Sequence, residues 1–297
     1  MKKFTLVTLL LSTIIVLLST NVFANDTGTI WGENYLYSLE APKGWVLDTV
    51  SGKSNGLQAV FYPKGGSWAD SKAVMYTNVA VKKSGQNNIE EFINYSLSEI
   101  KVTSPTVTVK DLGTRSVNNK KIVLKEWLHN ERRHSQEQHE MVAYIEESKV
   151  IVLMVLTSKN QGEYKKSIKA LRALVESYMF HSDNPDYKAV SEAQLKPLIE
   201  VAKKQSKTKK GGAYEEQVSQ MIGSYIGTVL KGCGENLKKM DNIDALFQVN
   251  KFGISTVTYW SQNDTSQCFI QNGILNWVFP KPPIDNFHYH IEVKIKP

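Results

Sequence analysis

Residues 245–260 read ALFQVNKFGISTVTYW, and they decide the fold of the C-terminal part of the chain. Apolar residues stand at every second position from Ala245 to Val249, and residues 254–260 are rich in β-branched and aromatic types. A short turn that contains Gly253 separates the two runs. This arrangement predicts two β-strands joined in a hairpin.

Helical and extended patterns flank this hairpin. Before it, the apolar residues of 218–230 recur at helical spacing, which predicts an amphipathic helix. After it, residues 263–266 supply capping side chains for a second helix, which we expect to end at Pro280. The apolar face of this second helix is predicted at Ile270, Ile274 and Trp277. Residues 287–295 alternate apolar and polar side chains, so they predict a final strand with one polar face.

The predicted order is helix, strand, strand, helix, strand, and it carries Cys233, Gly253, Cys268, Trp277, Phe279, Pro280 and Pro282. This combination of elements and residues resembles the TonB C-terminal fold, in the variant found in AgmX/PglI-type gliding-motility proteins. The chain departs from it at Gly234, where that family usually carries an aromatic residue. The resemblance implies a small αββαβ domain over residues 213–297 that binds partners and transmits force. Such a domain adds a strand to an extended partner segment or docks on another envelope protein.

We expect the final strand to lie at a sheet edge, where it is open to pairing with a partner strand. The candidate partner-binding residues are His288, His290, Glu292, Lys294 and Lys296 on this strand, together with Trp68 in an N-terminal loop. Two alternatives remain open. Lys294 and Lys296 are also typical of residues that protect an edge against unwanted pairing. Trp68 is equally consistent with a residue that anchors its loop on its own domain.

The first residues predict a secretory signal peptide over 1–24. Two lysines precede an apolar core at 6–18, and Val22-Phe23-Ala24 is typical of a cleavage site, which we expect near Ala24. An uncleaved anchor is the alternative, although the apolar core is short for a membrane-spanning helix. No later segment is long and apolar enough to span a bilayer. The sequence therefore predicts a periplasmic or secreted protein without a stable transmembrane anchor.

Export to an oxidising compartment favours a disulfide between Cys233 and Cys268, the two cysteines of the chain. Two buried free thiols are the alternative. The chain has a formal charge of +7, of which Lys2 and Lys3 would be lost with the signal peptide. Export argues against a nucleic-acid role. A weak attraction to anionic lipid, cell wall or an acidic partner is compatible with this charge.

Residues 25–182 predict a domain of strands with one early and one late helix, which is an α+β sandwich. Three segments characterise this layout: residues 37–45 (YSLEAPKGW), Glu90-Glu91-Phe92, and the closing pattern from 151–153 through 164–177. Together they resemble the PsbP-like family, including DcrB-type periplasmic proteins. This resemblance implies an accessory, assembly or binding subunit without a shared catalytic set.

Residues 183–212 predict a basic linker with a short helix near 195–204. The run at 203–212, KKQSKTKKGG, is polar and basic, which is typical of a flexible, solvated segment. It could also bind an anionic lipid or glycan surface. The complete prediction is a two-domain α+β protein, with the linker between a PsbP-like domain and a TonB-C-like domain at 213–297.

Two groups of residues are compatible with a metal ion. One surrounds a predicted hairpin tip, and its members are Glu131, His134, Glu137, His139 and Glu140. The other places His288, His290 and Glu292 on one face of the last strand. A solvated polar loop and a polar outer strand face explain both groups without a metal. No G-x-S-x-G motif is present, and no catalytic set or cofactor is predicted.

Three functions follow from these patterns. The leading hypothesis is an exported, non-enzymatic envelope adaptor that binds a protein partner through the edge of its C-terminal sheet. The second is a secreted metal-binding protein or metal-dependent enzyme. The third is a secreted factor that binds glycans or lipids. The sequence leaves the oligomeric state and the identity of the partner open.

Overall fold

The computed structural model describes residues 27–129, 138–233 and 240–294. It contains helices and mostly antiparallel sheets, which confirms the predicted α+β class. The signal peptide predicted at 1–24 and its cleavage point near Ala24 lie outside the described residues. The same is true of Glu131, His134, Glu137 and Lys296.

The N-terminal module (residues 27–182) is built on a seven-stranded antiparallel sheet in the order β3-β4-β5-β9-β8-β7-β6. Its strands are β3 (Trp45–Asp48), β4 (Ala59–Pro63), β5 (Ala73–Val81), β6 (Thr108–Val117), β7 (Lys120–His129), β8 (Gln138–Glu146) and β9 (Val150–Ser158). A smaller sheet in the order β1-β2-β10 packs beside it. The strands of this smaller sheet are β1 (Thr27–Gly32), β2 (Tyr35–Glu40) and β10 (Met179–Ser182).

Two helices cover opposite faces of the large sheet. Helix α1 (Ile89–Thr103) packs on Val142 and Tyr144 of β8, whereas helix α2 (Gln161–Glu176) packs on the intervening residues such as Ala143. Successive side chains of a strand point to opposite faces, so the two helices enclose the sheet. Each helix begins at an asparagine whose side chain accepts a backbone N–H three residues later, Asn88 for α1 and Asn160 for α2.

The C-terminal module (residues 186–294) is built on a four-stranded sheet in the order β11-β13-β12-β14. Its elements are β11 (Asp186–Val190), α3 (Glu192–Ser206), α4 (Lys209–Cys233), β12 (Ile243–Val249), β13 (Ser255–Ser261), α5 (Asp264–Asn272) and β14 (Phe287–Val293). Helices α4 and α5 pack on one face against Phe247 and Tyr289. Helix α3 packs on the opposite face against Leu246. From α4 onward, the module has the predicted order of helix, strand, strand, helix, strand.

The predicted β12–β13 hairpin is present, and its turn requires a glycine. Gly253 has φ +83°, and a Cβ atom placed there would lie 2.0 Å from the carbonyl oxygen of Phe279. The backbone N–H of Phe279 donates to the Gly253 carbonyl at 2.7 Å. The turn is therefore fixed against the segment that leads to β14.

The second C-terminal helix is shorter than predicted. Asn263 caps α5 as expected, but the helix ends at Asn272, and Trp277 has an extended backbone instead of lying on the helical face. The reason is Gly273. A Cβ atom at that position would lie 2.7 Å from the Val229 side chain, so the close contact with α4 selects a glycine, which is a poor helix former.

The segment 183–212 was predicted as a basic linker with a short helix near 195–204, and that helix is present as α3. The rest of the segment differs from a flexible linker, because it forms strand β11, which pairs in parallel with β13, and the beginning of α4. The Gly211-Gly212 pair lies within α4. A Cβ atom at Gly211 would lie 2.1 Å from the Gln205 carbonyl oxygen, so this glycine allows the chain to close the α3–α4 turn. The polar composition of the run reflects exposed helix faces.

The two modules are in contact where the chain passes between them. The ring of Trp31 lies edge-on to that of Tyr187, with centroids 5.3 Å apart, and the Thr29 hydroxyl donates to the Leu275 carbonyl. His181 of β10 lies 5.9 Å from the Phe252 ring, and one of its ring nitrogens is 2.9 Å from the Ser38 hydroxyl. Burial lowers the pKa of His181 to about 4.

Candidate partner-binding groove

Strand β14 lies at an edge of the C-terminal sheet, as predicted, and pairs on its inner side with β12. The backbone N–H of His288 donates to the side-chain oxygen of Gln205 at 2.7 Å, so it points away from β12. In an antiparallel pair, the backbone groups of alternate residues point to the same side of the strand. The N–H and C=O groups of His290 and Glu292 therefore also point outward from the sheet.

The outward edge of β14 forms the floor of a groove with a volume of about 810 Å³. One wall is a stripe of α3 side chains at Glu192, Leu195, Lys196, Ile199, Glu200 and Lys203. The other wall is a stripe of α4 residues at Glu215, Ser219, Ile222, Gly223 and Ile226. The residues of each stripe recur every three or four positions, so each helix presents a single face to the groove.

Local sequence features place the two walls. Helix α3 begins with a capping box, in which Ser191 and Gln194 each satisfy a backbone N–H of the other. It ends at the tight turn that Gly211 allows, and there Gln205 reaches the backbone of His288. The turn therefore closes one end of the groove, and β14 is left open from His290 onward.

Side-chain hydrogen bonds fix the floor against the helices and the neighbouring strand. The hydroxyls of Ser219 and Tyr289 are 3.0 Å apart, and a ring nitrogen of His290 lies 2.7 Å from an Asp244 carboxylate oxygen. Burial raises the pKa of Tyr289, and the negative charge of Glu215 adds to this rise. Glu215 lies one helical turn before Ser219 on the same face of α4, and it lines the groove beside the floor.

The groove is more acidic than the chain as a whole. Its lining holds five carboxylates and two lysines, a formal charge of −3 with the histidine neutral, whereas the whole chain has +7. The carboxylates are Glu192, Glu200, Glu215, Asp244 and Glu292. Lys196 lies 3.1 Å from Glu192 and Lys203 lies 2.9 Å from Glu200, so both groove lysines are already paired with α3 carboxylates. The excess negative charge is therefore carried by the α4 wall and the floor.

The other long edge strand is less suited to accept a partner. Strand β6 lies at the edge of the seven-stranded sheet, and its pairing with β7 shifts between Asp111 and Gly113, where Gly113 has φ +91°. A bulge of this kind twists an edge strand and interrupts the row of backbone groups that a partner would need. No register shift occurs along β14.

The candidate residues of the last strand lie where the alternation predicts. His290 and Glu292 line the groove, and burial lowers the pKa of the neighbouring His288. Lys294 lies 3.6 Å from Glu292 at the open end of the strand, and Lys296 is outside the described residues. Sequence reasoning missed the contribution of the α3 and α4 walls. The available indication was the helical pattern near 195–204, which was interpreted as part of a linker.

Trp68 belongs to the N-terminal module and does not line this groove. Its ring lies edge-on to Tyr76 at 6.2 Å, and it packs on the cluster that contains Val60 and Tyr62. This is the packing expected of a residue that anchors a loop on its own module.

The weak metal candidates have other neighbours in the structure. His290 is paired with Asp244, and the buried His139 is stacked on Tyr164 with ring centroids 5.3 Å apart. Within residues 27–129, 138–233 and 240–294, no three His, Cys, Asp or Glu side chains are arranged to hold a metal ion.

The predicted disulfide between Cys233 and Cys268 is present. It joins the last residue of α4 to the middle of α5, and Cys233 is buried. Since α4 forms one wall of the groove, the bond restrains that wall. In the part of the chain that the structure describes, no helix has the length and hydrophobicity needed to cross a membrane.

Comparisons with known proteins show only distant similarity. No family model matches the chain, and neither does any curated protein. The similar solved structures include cyanobacterial PsbP from Synechocystis sp. PCC 6803, at 11% identity and a TM-score of 0.35, covering 54% of this chain and 96% of that one. They also include the Ran-binding protein Mog1p from Saccharomyces cerevisiae, at 14% identity and a TM-score of 0.35, covering 50% and 90%. A protein from Bacteroides thetaiotaomicron is 11% identical with a TM-score of 0.34, covering 63% and 66%.

Proposed function

We propose that this protein is a non-enzymatic adaptor that captures an extended segment of a partner protein by adding it as a fifth strand beside β14. The observation that supports this most directly is the outward edge of β14, which forms the floor of a groove between two helices. Strand addition draws its affinity from main-chain hydrogen bonds and its specificity from pockets for alternate side chains. The groove offers both.

The dimensions of the groove suit a short segment. The wall of α3 runs from Glu192 to Lys203, which at 1.5 Å per residue is about 16 Å of helix. A strand that rises about 3.3 Å per residue covers this length with about five residues. Alternate side chains of such a segment would face α3 and α4 in turn, where Ile199 and Ile226 offer apolar contacts.

We also propose that the protein works outside the cytoplasm, in the periplasm or after secretion, as an adaptor of the cell envelope. The predicted signal peptide and the Cys233–Cys268 disulfide support this location, because disulfides persist in oxidising compartments. The order of elements from α4 to β14 supports the resemblance to the TonB C-terminal fold, which implies partner binding by strand addition.

A proline at the groove edge tests the role of β14. Deletion of the strand would be uninformative, because Phe287, Tyr289 and Ile291 belong to the module core and the truncated chain would not fold. Glu292→Pro instead removes an N–H that points outward, and edge strands tolerate proline at such positions. Glu292→Ala is the matched control, because it removes the same side chain but keeps the backbone donor.

The assay is in-cell photocrosslinking from a photoreactive residue introduced at the exposed groove position Lys196. We expect the wild type and the Glu292→Ala variant each to give a discrete crosslinked product with a partner protein. We expect this product to be absent with the Glu292→Pro variant. The same photoreactive residue at the exposed Lys169 of α2 should not give this product. Unchanged crosslinking in the folded Glu292→Pro variant would refute capture by strand addition.

A further inference from the structure

We infer that the groove selects a basic segment, in which lysine or arginine alternates with apolar residues. This inference rests on the proposed function, because it specifies what kind of strand β14 accepts. It follows from the distribution of charge over the groove.

A partner strand in the groove would meet several charged side chains. The carboxylates of α3 are matched by lysines of the same helix, through the Glu192–Lys196 and Glu200–Lys203 pairs. Nearby, Lys294 offsets Glu292 at the open end. Two carboxylates of the lining have no described lysine partner. They are Asp244, whose oxygen lies 2.7 Å from a ring nitrogen of His290, and Glu215, one helical turn before Ser219 on α4.

Asp244 and Glu215 are only half-buried, so they keep access to water when the groove is empty. A partner strand between α3 and α4 would displace part of that water. The two carboxylates would then repel an acidic partner segment, whereas a lysine or arginine of the partner would compensate the carboxylates for their lost hydration.

Apolar side chains also line the groove. Ile199 on α3 and Ile226 on α4 are half-buried and accessible there, whereas Leu195 and Ile222 are buried in the core of the module. Because successive side chains of a strand point to opposite faces, a segment that alternates apolar and basic residues turns its apolar side chains to one wall and its basic side chains to the other. An alternating segment of valine and lysine therefore presents apolar contacts to one wall and positive charge to the other, whereas a uniformly polar segment has no apolar face.

A set of labelled heptapeptides tests the inference. In each, valine alternates with lysine, threonine or glutamate, and binding to the full mature chain is followed by fluorescence anisotropy. We expect the lysine peptide to bind about tenfold more tightly than the threonine peptide, which corresponds to about 1.4 kcal/mol, and the glutamate peptide to bind most weakly. Raising the ionic strength from about 0.05 to 0.5 M should reduce this preference.

Two protein variants separate groove charge from net charge. Glu215→Gln removes a carboxylate that lines the groove, and Glu216→Gln removes its exposed neighbour on α4, which does not line it. We expect Glu215→Gln to weaken lysine-peptide binding about three- to fivefold, the range of a partly exposed ion pair, without affecting the threonine peptide. Glu216→Gln should leave both affinities unchanged.

The outcomes distinguish this inference from the proposed function. Binding of all three peptides with equal affinity, blocked by Glu292→Pro, would overturn the charge preference and support strand addition. Lysine-peptide binding that is insensitive to Glu292→Pro would overturn both. A dimer in sedimentation that Glu292→Pro converts to a monomer would identify a second copy of the chain as the occupant, and would overturn the basic segment. Absence of binding up to about 1 mM peptide would also overturn the preference for a basic segment. The crosslinking experiment with Glu292→Pro would then be the separate test of strand addition.

Discussion

Alanine at Gly211 and alanine at Gly227 should have opposite effects on stability, although both glycines lie in helix α4. At Gly227 an added Cβ atom meets nothing within 4 Å, so the substitution only improves helix propensity. Alanine is favoured over glycine in a helix by about 0.5–1 kcal/mol. We therefore expect Gly227→Ala to raise the free energy of unfolding by that amount.

At Gly211 the added Cβ atom would lie 2.1 Å from the Gln205 carbonyl oxygen and 2.8 Å from the Thr208 hydroxyl. The Gln205 carbonyl belongs to the backbone and cannot rotate away as a flexible side chain can, so the α3–α4 turn must move by about 1 Å. We expect the strain of this movement to lower the free energy of unfolding by about 1–3 kcal/mol. The loss of the Gln205–His288 hydrogen bond adds about 1 kcal/mol. After the gain in propensity, Gly211→Ala should destabilise the protein by about 2 kcal/mol.

The assay is urea unfolding of both variants and the wild type, followed by tryptophan fluorescence under oxidising conditions. Gly211→Ala should lower the midpoint and Gly227→Ala should raise it, with similar slopes. Equal stabilisation by the two substitutions would refute the tight α3–α4 turn, and with it the closed end of the groove. The segment would then behave as the flexible linker that its composition suggests.

Two further predictions concern the disulfide and pH. Replacing Cys233 and Cys268 together by alanine should lower the free energy of unfolding by about 4 kcal/mol, because the bond closes a loop with a 35-residue separation. Urea titration measures this difference, and a loss below about 1 kcal/mol would contradict the prediction. His181 has a folded-state pKa of about 4, below its ordinary value of 6.5. The contribution of the neutral, buried histidine to the stability of the fold is therefore complete above pH 6.5 and is lost as the pH falls towards 4. Between pH 7 and 4, the free energy of unfolding of the wild type should therefore fall by up to about 3 kcal/mol more than that of the His181→Gln variant. An equal fall in both proteins would show that this histidine is not buried.

Local sequence signals were sufficient for most of the secondary structure. The β12–β13 hairpin depends on a positive φ at Gly253, and α1 and α5 depend on the caps at Asn88 and Asn263. Each of these features is specified by residues within a few positions of one another. The alternation in 287–293 likewise predicts which side chains of β14 are buried, because the period of a strand is fixed by its backbone.

The errors arose where distant contacts override local preference. The end of α5 at Gly273 is set by the approach of Val229, more than forty positions earlier in the chain. The pairing of β11 with β13 is parallel and joins residues about seventy positions apart, so nothing near 186–190 specifies it. The run at 203–212 is polar because its residues are largely exposed on helices, and composition alone does not distinguish an exposed helix from a flexible linker.

The incorrectly predicted linker and the candidate site are parts of one feature. The last strand was expected at a sheet edge, but an edge by itself provides only backbone groups and is commonly protected. Here the chain crosses from β11 through α3 before α4 begins, and this crossover places α3 on the sheet face opposite α4, where it lines one wall of the groove beside β14. Its C-terminal end pairs with the N–H of His288, so a partner strand can add only from His290 onward. The segment that looked like a spacer therefore sets the position and length of the strand that the groove can accept.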